Sequence, residues 1–353
     1  MPIDIPALTS LGWSAFYQQQ LTSEEYETTY PCRVMAVHRG QLILSMGTEE
    51  FTLSFTGKML QEQGDHQATI GDWLLVSRTT GAFLRLLDRK SLIKRKSAGT
   101  DNSQQLVAAN IDTLFIVTSC NDDFNLSRLE RYLAFAYGAN VDPVIVLTKQ
   151  DMCDNPMAYV TQARTLGPLI MAEAVNALDP STLAALHVWC KPGQTIALLG
   201  SSGVGKSTLA NGLGATYQKT GDIRENDAKG RHTTTHRSLL RLTNGAVLLD
   251  SPGMRGLGLA DCEEGVSAVF KDIADLAQAC RFKDCNHDQE PGCAVNAALM
   301  DQSLSARRLK SYNKLMAEQQ YNAATIAERR KKAKAFGKLS KKSIAAKKTG
   351  QDF

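Results

Sequence analysis

Two short stretches decide the reading of this chain: 148-TKQD-151 and 200-GSSGVGKS-207. Each alone is a familiar nucleotide-site motif, and the difficulty is their order. In most GTP-binding proteins the phosphate loop comes first and the base-reading Asn/Thr-Lys-x-Asp comes last. Here the order is reversed. Either TKQD is an accident, or the chain has been cut and rejoined around the same fold.

The phosphate loop carries its own context. In 195-TIALLGSSGVGKSTLANGL-213 an apolar strand runs into a Gly-rich turn and then a helix start, in the order a P-loop requires. Gly200, Gly203 and Gly205 let backbone amides turn inward around phosphate oxygens, where a side chain would obstruct them. Ser201, Ser202, Val204 and Thr208 complete the loop and its helix entry. The helix adds its positive N-terminal end to the same anion. Lys206 is placed to reach the β and γ phosphates, and Ser207 to hold Mg²⁺. The pattern predicts a nucleoside triphosphate site.

No Asn/Thr-Lys-x-Asp follows the phosphate loop; the nearest attempt, 313-NKLM-316, lacks the acid. TKQD directly follows the apolar run 143-PVIVL-147, and an α/β sheet presents ligand contacts at the carboxyl ends of its strands. Asp151 can accept both N1–H and the exocyclic amine of guanine, which adenine cannot satisfy. Lys149 lays its stem along the base, Thr148 ties the loop down, and Gln150 fills the variable position. After the next apolar strand, 173-EAVNAL-178 puts Asn176-Ala177 where GTPases carry a Ser-Ala that contacts the guanine oxygen. Cutting a domain elsewhere and joining its old termini changes chain order without moving residues in space. The order base, base, phosphate predicts a circular permutation.

Further on, 248-LLDSPGMRG-256 ends an apolar strand in Asp-x-x-Gly: Asp250 suits Mg²⁺ through water, and Gly253 can offer an amide to the γ-phosphate. Between the two motifs, 230-GRHTTTHR-237 reads as a switch loop. Thr234 is the first choice to complete the Mg²⁺ shell, with Thr233 and Thr235 behind it. Where Ras-like enzymes place a water-orienting Gln after Asp-x-x-Gly, this chain has Met254. Slow intrinsic turnover is therefore expected. His232 is the residue best placed in sequence to position the water, ahead of His236.

The segment 280-CRFKDCNHDQEPGC-293 offers Cys280, Cys285, His287 and Cys293, three thiolates and one imidazole, which is the closed ligand set of a structural zinc. Cys32, Cys120, Cys153, Cys190 and Cys262 are scattered, as in a reduced, cytosolic protein. No run approaches the roughly 20 apolar residues of a membrane span. The start, 1-MPIDIPALTSLGWSAF-16, has no basic-then-apolar signal pattern. A cytoplasmic monomer is expected. The net charge of +4 conceals ten Lys or Arg and no acid between Arg329 and Lys348. Such an arm favours polyanions.

The remaining texture divides the chain. Residues 1–30 read as a polar, helical lead-in with a cap at 21-LTSEEYETTY-30. Five short alternating runs from 32-CRVMAVHRG-40 to 81-GAFLRLL-87 predict a small β-barrel such as an OB-fold, with Trp73 and Phe83 as core rather than stacking surfaces. The run 89-RKSLIKRKSAGTDNSQQ-105 reads as a basic linker. Near-continuous apolar runs 111-IDTLFIVTS-119 and 142-DPVIVLTK-149, with helical spacing in 127-SRLERYLAFAYGA-139, predict a parallel α/β sheet.

A β-barrel, then TKQD, GSSGVGKS, GRHTTTHR, DSPG and the fragment 285-CNHDQEPGCAV-295 resemble the circularly permuted, small-subunit-dependent GTPases of the RsgA (YjeQ) family over about residues 30–320. The resemblance implies a multidomain α/β protein: an N-terminal OB-like β-barrel, a central circularly permuted P-loop GTPase and a C-terminal helical zinc-binding domain. The corresponding divisions are 1–30, 31–98, 99–262 and 263–322, with a basic tail at 323–353. It also implies GTP hydrolysis to GDP and phosphate, stimulated by the 30S subunit in its late maturation, contact with 16S rRNA and a role for His232 in its loop. Two other readings stay open from the residues: a P-loop ATPase or kinase, and a nucleic-acid-binding NTPase switch without ribosome-coupled turnover.

Overall fold

The computed structural model describes residues 3–96, 104–215, 238–250 and 262–323, apart from positions 58, 60, 61, 63 and 289. Strands rich in Val, Ile and Leu without alternation need cover on both faces. Such strands form the centre: β8 (Thr113–Ser119) is buried throughout, and β9 (Asp142–Thr148) and β11 (Thr195–Leu199) nearly so. They lie in the order β10 (Met171–Ala174), β9, β8, β11, β13 (Val247–Asp250), β12 (Ser238–Arg241). All neighbours are parallel except β12, which runs antiparallel to β13. The phosphate-loop strand β11 is thus central. The strands that precede it in the chain, β8 to β10, lie beside it with their carboxyl ends at the same edge. That is the permutation in space.

The barrel strands are β1 (Thr29–His38), β2 (Gln41–Ser45), β3 (Glu50–Ser54), β4 (Trp73–Ser77) and β5 (Phe83–Leu86). They pair antiparallel along the path β5-β4-β1-β2-β3. The first half of β1 pairs with β4 and the second half with β2, and a register shift between Val34 and Ala36 lets the strand bend from one to the other. Cys32, Val34, Leu42, Leu44, Leu74 and Val76 fill the interior. Trp73 and Phe83 are buried, as expected of core residues. One bridge, Ala36 to Ser238, joins the barrel to the nucleotide sheet.

Two expectations need correction. The stretch read as a linker contains a hairpin, β6 (Leu92–Lys96) on β7 (Gln104–Ala109). Its buried side, Ile93 with Val107 and Ala108, was hidden by intervening cations and by a register shift after Ile93. The polar lead-in, for its part, is structural core: Leu8, Leu11, Trp13 and Tyr17 are buried, and Trp13 meets Trp73 edge-on at 4.9 Å.

The expected cap is present at the helix Ser23–Thr28, where Thr22 and Glu25 close a capping box. Glu25 also takes Arg85 at 2.7 and 3.0 Å, and the Arg85 hydrogen bonds hold its carboxyl down at about 2. A depressed carboxylate contributes stability that is present above its ordinary value and lost as pH falls toward the folded value. Glu25→Gln is expected to lower Tm at neutral pH and to converge with wild type as pH falls between about 4.5 and 2, which flattens the acid limb of the Tm-against-pH profile; a profile parallel to wild type throughout would refute it.

Four helices, Glu263–Val269, Lys271–Gln278, Ala294–Met300 and Ala306–Ala323, follow the sheet. The first and last of them dock on the helix Leu126–Gly138, which leads from β8 to β9. Gly265 permits the close approach, since a Cβ there would lie 1.9 Å from the Ala134 carbonyl. Fully buried Glu130 accepts from Arg307 at 2.9 and 3.0 Å and from Arg308 at 3.1 Å. The C-terminal helices therefore ride on the helix that delivers TKQD.

Candidate functional site

At the end of β11 the chain turns sharply because it has no room to do otherwise. A Cβ on Gly200 would sit 2.1 Å from the Val117 carbonyl of β8, so the first loop glycine is required by strand proximity. Gly203 and Gly205 have φ of +82° and +88°, a region L side chains rarely adopt. The helix Lys206–Gly212 then begins at Gly205. Val204 is buried, Ser201 and Thr208 are half-buried, and Ser202 and Ser207 are exposed. Lys206 Nζ donates to the Gly200 carbonyl at 2.8 Å and to that of Ser201, which holds the ammonium within the loop.

TKQD lies against this loop. Thr148, the last residue of β9, is buried, with Oγ1 2.6 Å from the Val204 carbonyl and 3.1 Å from that of Thr118. Lys149 has φ of +60°, and Gln150–Met152 form a single 3-10 turn. A left-handed non-glycine residue is held at a cost of roughly 1–3 kcal/mol, and such strain concentrates where a loop must present a ligand contact. Gln150 N donates to the Val175 carbonyl at 3.3 Å, tying the turn to the next loop. Asp151 is exposed, and its carboxylate has no hydrogen bond among the described residues.

The loop after β10 closes the third side. Asn176 N donates to Thr182 Oγ1 at 3.0 Å, and its own Oδ1 accepts from Leu178 N at 3.0 Å. Ala177 O would lie 2.8 Å from a Cβ on Gly212, so this loop packs on the phosphate-loop helix. Asp250 ends β13, whose Leu249 pairs with Ala197 of β11. Three loops far apart in sequence thus meet at one sheet edge, and Thr148 joins two of them directly. Thr148→Val keeps the shape and leaves the buried Val204 carbonyl without its donor, worth about 1–2 kcal/mol. GTP affinity is expected to fall about tenfold in a fluorescent-nucleotide titration, with Tm lowered by a few degrees at most; undiminished affinity would show the tie to be incidental.

His232, Thr234 and Gly253, with Thr233, Thr235, His236 and Met254, lie outside the described residues. Among the described residues, what sequence reading missed is backbone: the Val117, Thr118 and Val175 carbonyls carry no residue-type signal.

A second cluster lies below. Sγ of Cys280, Cys285 and Cys293 and a ring nitrogen of His287 all fall within 4.8 Å of one another. His287 Nδ1 is 3.6 Å from Cys280 Sγ and 3.5 Å from Cys293 Sγ. Glu290 braces the loop by accepting from the Asn286 and Asp288 amides at 2.9 Å each. Burial opposes ionisation of Cys280, but amides of Val295 and Ala294 and the neighbouring thiols outweigh it and bring its thiol below the ordinary range. Four convergent soft donors fit one tetrahedral ion.

Comparison with known proteins agrees with this geometry. Residues 86–260 match the family model described as RsgA GTPase. The chain is 52% identical over 333 residues to the "Small ribosomal subunit biogenesis GTPase RsgA 2" of Vibrio vulnificus (strain CMCP6), covering 94% of this chain and 93% of that protein. The chain belongs to the RsgA GTPase family. Another member, from Mesorhizobium japonicum (strain LMG 29417 / CECT 9101 / MAFF 303099), is 46% identical over 321 residues, with 90% of this chain and 91% of that one covered. The RsgA match of residues 86–260 takes in every strand from β6 to β13.

Among solved structures, YjeQ from Thermotoga maritima superposes with a TM-score of 0.61 at 24% identity, over 82% of this chain and 98% of that one. YloQ, described as a circularly permuted GTPase, gives 0.59 at 21%, over 86% and 100%. The RsgA fold is thereby shared across chains of quite different sequence.

Proposed function

We propose that this chain binds GTP and hydrolyses it to GDP and phosphate on the small ribosomal subunit, late in the subunit's maturation, with hydrolysis stimulated by the subunit. The observation that carries the GTP reading is the bond from Thr148 to the Val204 carbonyl, which makes base loop and phosphate loop one unit. The subunit reading rests on the near-full-length relatives named as small-subunit biogenesis GTPases.

In this reading Asp151 accepts from the guanine N1–H and amine, Lys149 covers the base, and Asn176-Ala177 lies beside the guanine oxygen. Amides of Ser201 to Thr208, with Lys206, surround the phosphates. Ser207, Asp250 and Thr234 would hold Mg²⁺, which spreads the charge developing on the transferred phosphoryl group. Gly253 offers its amide to the γ-phosphate and His232 positions the water. With Met254 in the glutamine's place, turnover without the subunit is slow. Phosphoryl transfer depends mostly on positioning and charge stabilisation, so no general base is required.

Cys280, Cys285, His287 and Cys293 would hold one structural zinc. The barrel (31–98) and the arm from Arg329 to Lys348 would meet 16S rRNA, in a salt-dependent way for the arm. No helix among the described residues is long and apolar enough to cross a membrane, and we read the protein as a cytoplasmic monomer. The test is GTP and ATP hydrolysis by the purified protein, with and without 30S or 50S subunits. Slow, GTP-only turnover raised by 30S alone supports the reading; ATP turnover, or indifference to 30S, overturns it.

A further inference from the structure

Arg33 lies on barrel strand β1 and is 1% exposed, yet among the described residues no carboxylate pairs with it. Its guanidinium donates instead to neutral groups of three other segments: the Leu11 carbonyl of the lead-in, the Asn110 carbonyl at 3.2 Å and Thr195 Oγ1 at 2.7 Å. Nε is buried without a hydrogen-bond partner among the described residues. Burial works against the charge, and Asp112 and Asp72 sustain it from a distance. A buried ionic group is weak evidence for stability, since an apolar side chain of similar volume is often neutral or better. Its retention here calls for a role other than stability.

The partners point to that role. Thr195 begins β11, the strand that ends in the phosphate loop, and Asn110 leads into β8. Asp112 grips Thr195 from the other side, accepting its amide at 2.7 Å. Asn110 has φ of +57° and is itself fixed, donating to the Gly71 carbonyl at 3.0 Å and accepting from Lys90 N at 2.9 Å. Two glycines make the space: a Cβ on Gly12 would lie 2.7 Å from the Gly193 carbonyl and 3.0 Å from Arg33 Nη1, and one on Gly193 would lie 2.3 Å from the Thr9 carbonyl. Three residues beyond Arg33, the same barrel strand meets β12 through the Ala36–Ser238 bridge. One strand of the barrel therefore touches two strands of the nucleotide sheet, β11 and β12, and the segment that leads into β8.

We propose that Arg33 is a positioning residue that couples the barrel to the phosphate loop, by fixing the amino end of β11 and the segment leading into β8 to β1. A five-residue strand spans about 16 Å at roughly 3.3 Å per residue, so β11 is a short rod between Arg33 and Gly200. Bonded on both sides by parallel neighbours, it passes on a displacement at Thr195 rather than absorbing it. A partner seated on the barrel thus acts on the nucleotide site without touching it. The proposal rests on the reading of the protein as a subunit-stimulated GTPase.

The test uses full-length wild type, Arg33→Met and Thr195→Val, with GTP turnover measured across a 30S titration. Both variants are expected to keep intrinsic turnover, GTP affinity and Tm near wild type. Maximal stimulation by 30S falls at least tenfold in Arg33→Met and less in Thr195→Val, with the half-saturating 30S concentration unchanged. Full stimulation of Arg33→Met overturns the proposal. So does a parallel fall of Tm, intrinsic and stimulated rates in both variants, which marks a purely structural residue. If wild type itself is not stimulated, the functional reading fails first and the coupling with it.

Discussion

Replacing Asp151 with Asn is expected to weaken GTP binding about a hundredfold and to admit xanthosine triphosphate in its place. The carboxylate stands exposed at the end of a strained turn with no hydrogen bond among the described residues, so a ligand does not have to displace an internal partner. Guanine presents two donors, N1–H and the exocyclic amine, and a carboxylate accepts both. An amide accepts one and turns a donor toward the other, leaving groups unpaired where water is excluded; sites built on such pairs discriminate by 10² or more, on the order of 3 kcal/mol. Xanthine carries a carbonyl in place of that amine and suits the amide. Competition between the two nucleotides for a fluorescent probe decides the matter. If Asp151→Asn keeps its preference for GTP, TKQD does not read the base and the permuted assignment of the site loses its support.

Much of this site was legible because its residues sit where the fold leaves little choice. TKQD and GSSGVGKS follow apolar strands, and parallel strands deliver their carboxyl ends to one edge, so reversed order in the chain implied permutation rather than accident. The metal cluster was legible for a different reason: four soft ligands within fourteen residues, Cys280 to Cys293, converge whatever the surrounding fold. Illegible were contacts with no residue-type signature. Thr148 was expected to tie down its loop, but its acceptor, the Val204 carbonyl, belongs to a backbone group that any side chain could have carried.

Arg33 shows the limit most clearly. In the run CRVMAVHRG an arginine between apolar residues reads as an outward-facing position, because alternation assigns cations to solvent. Arg33 does point away from the barrel interior, but the lead-in, Asn110 and Thr195 cover that face, so a cation that looks exposed in sequence is buried. The lead-in misled in the complementary way. Its polar composition concealed Leu8, Leu11, Trp13 and Tyr17, whose spacing is spread over two short helices and a turn and never reaches a full helical period.

Removing the zinc proposed for Cys280, Cys285, His287 and Cys293 is expected to produce the largest structural change while leaving nucleotide binding intact. A structural zinc contributes an apparent binding free energy of roughly 10 kcal/mol or more that is realised as folding, and the segment from Cys280 to Cys293 has little else to hold it. It contains no helix or strand among the described residues, and Arg281, Phe282 and Lys283 are exposed. The flanking helices are secured independently. Val266, Val269, Phe270 and Ile273 belong to the core shared with helix Leu126–Gly138, and the Glu130–Arg307–Arg308 cluster fastens the last helix to it. A strong chelator, or Cys285→Ser, is therefore expected to open residues 280–293 to limited proteolysis, while GTP affinity stays within about twofold and 30S stimulation is lost. Zinc, added back, should restore protection to chelated wild type and not to the variant. An unchanged cleavage pattern after chelation would mean that the cluster holds no structural ion. Loss of GTP binding would mean that its stabilising effect reaches through the helix Leu126–Gly138 to TKQD itself, against the independence argued from the buried clamp.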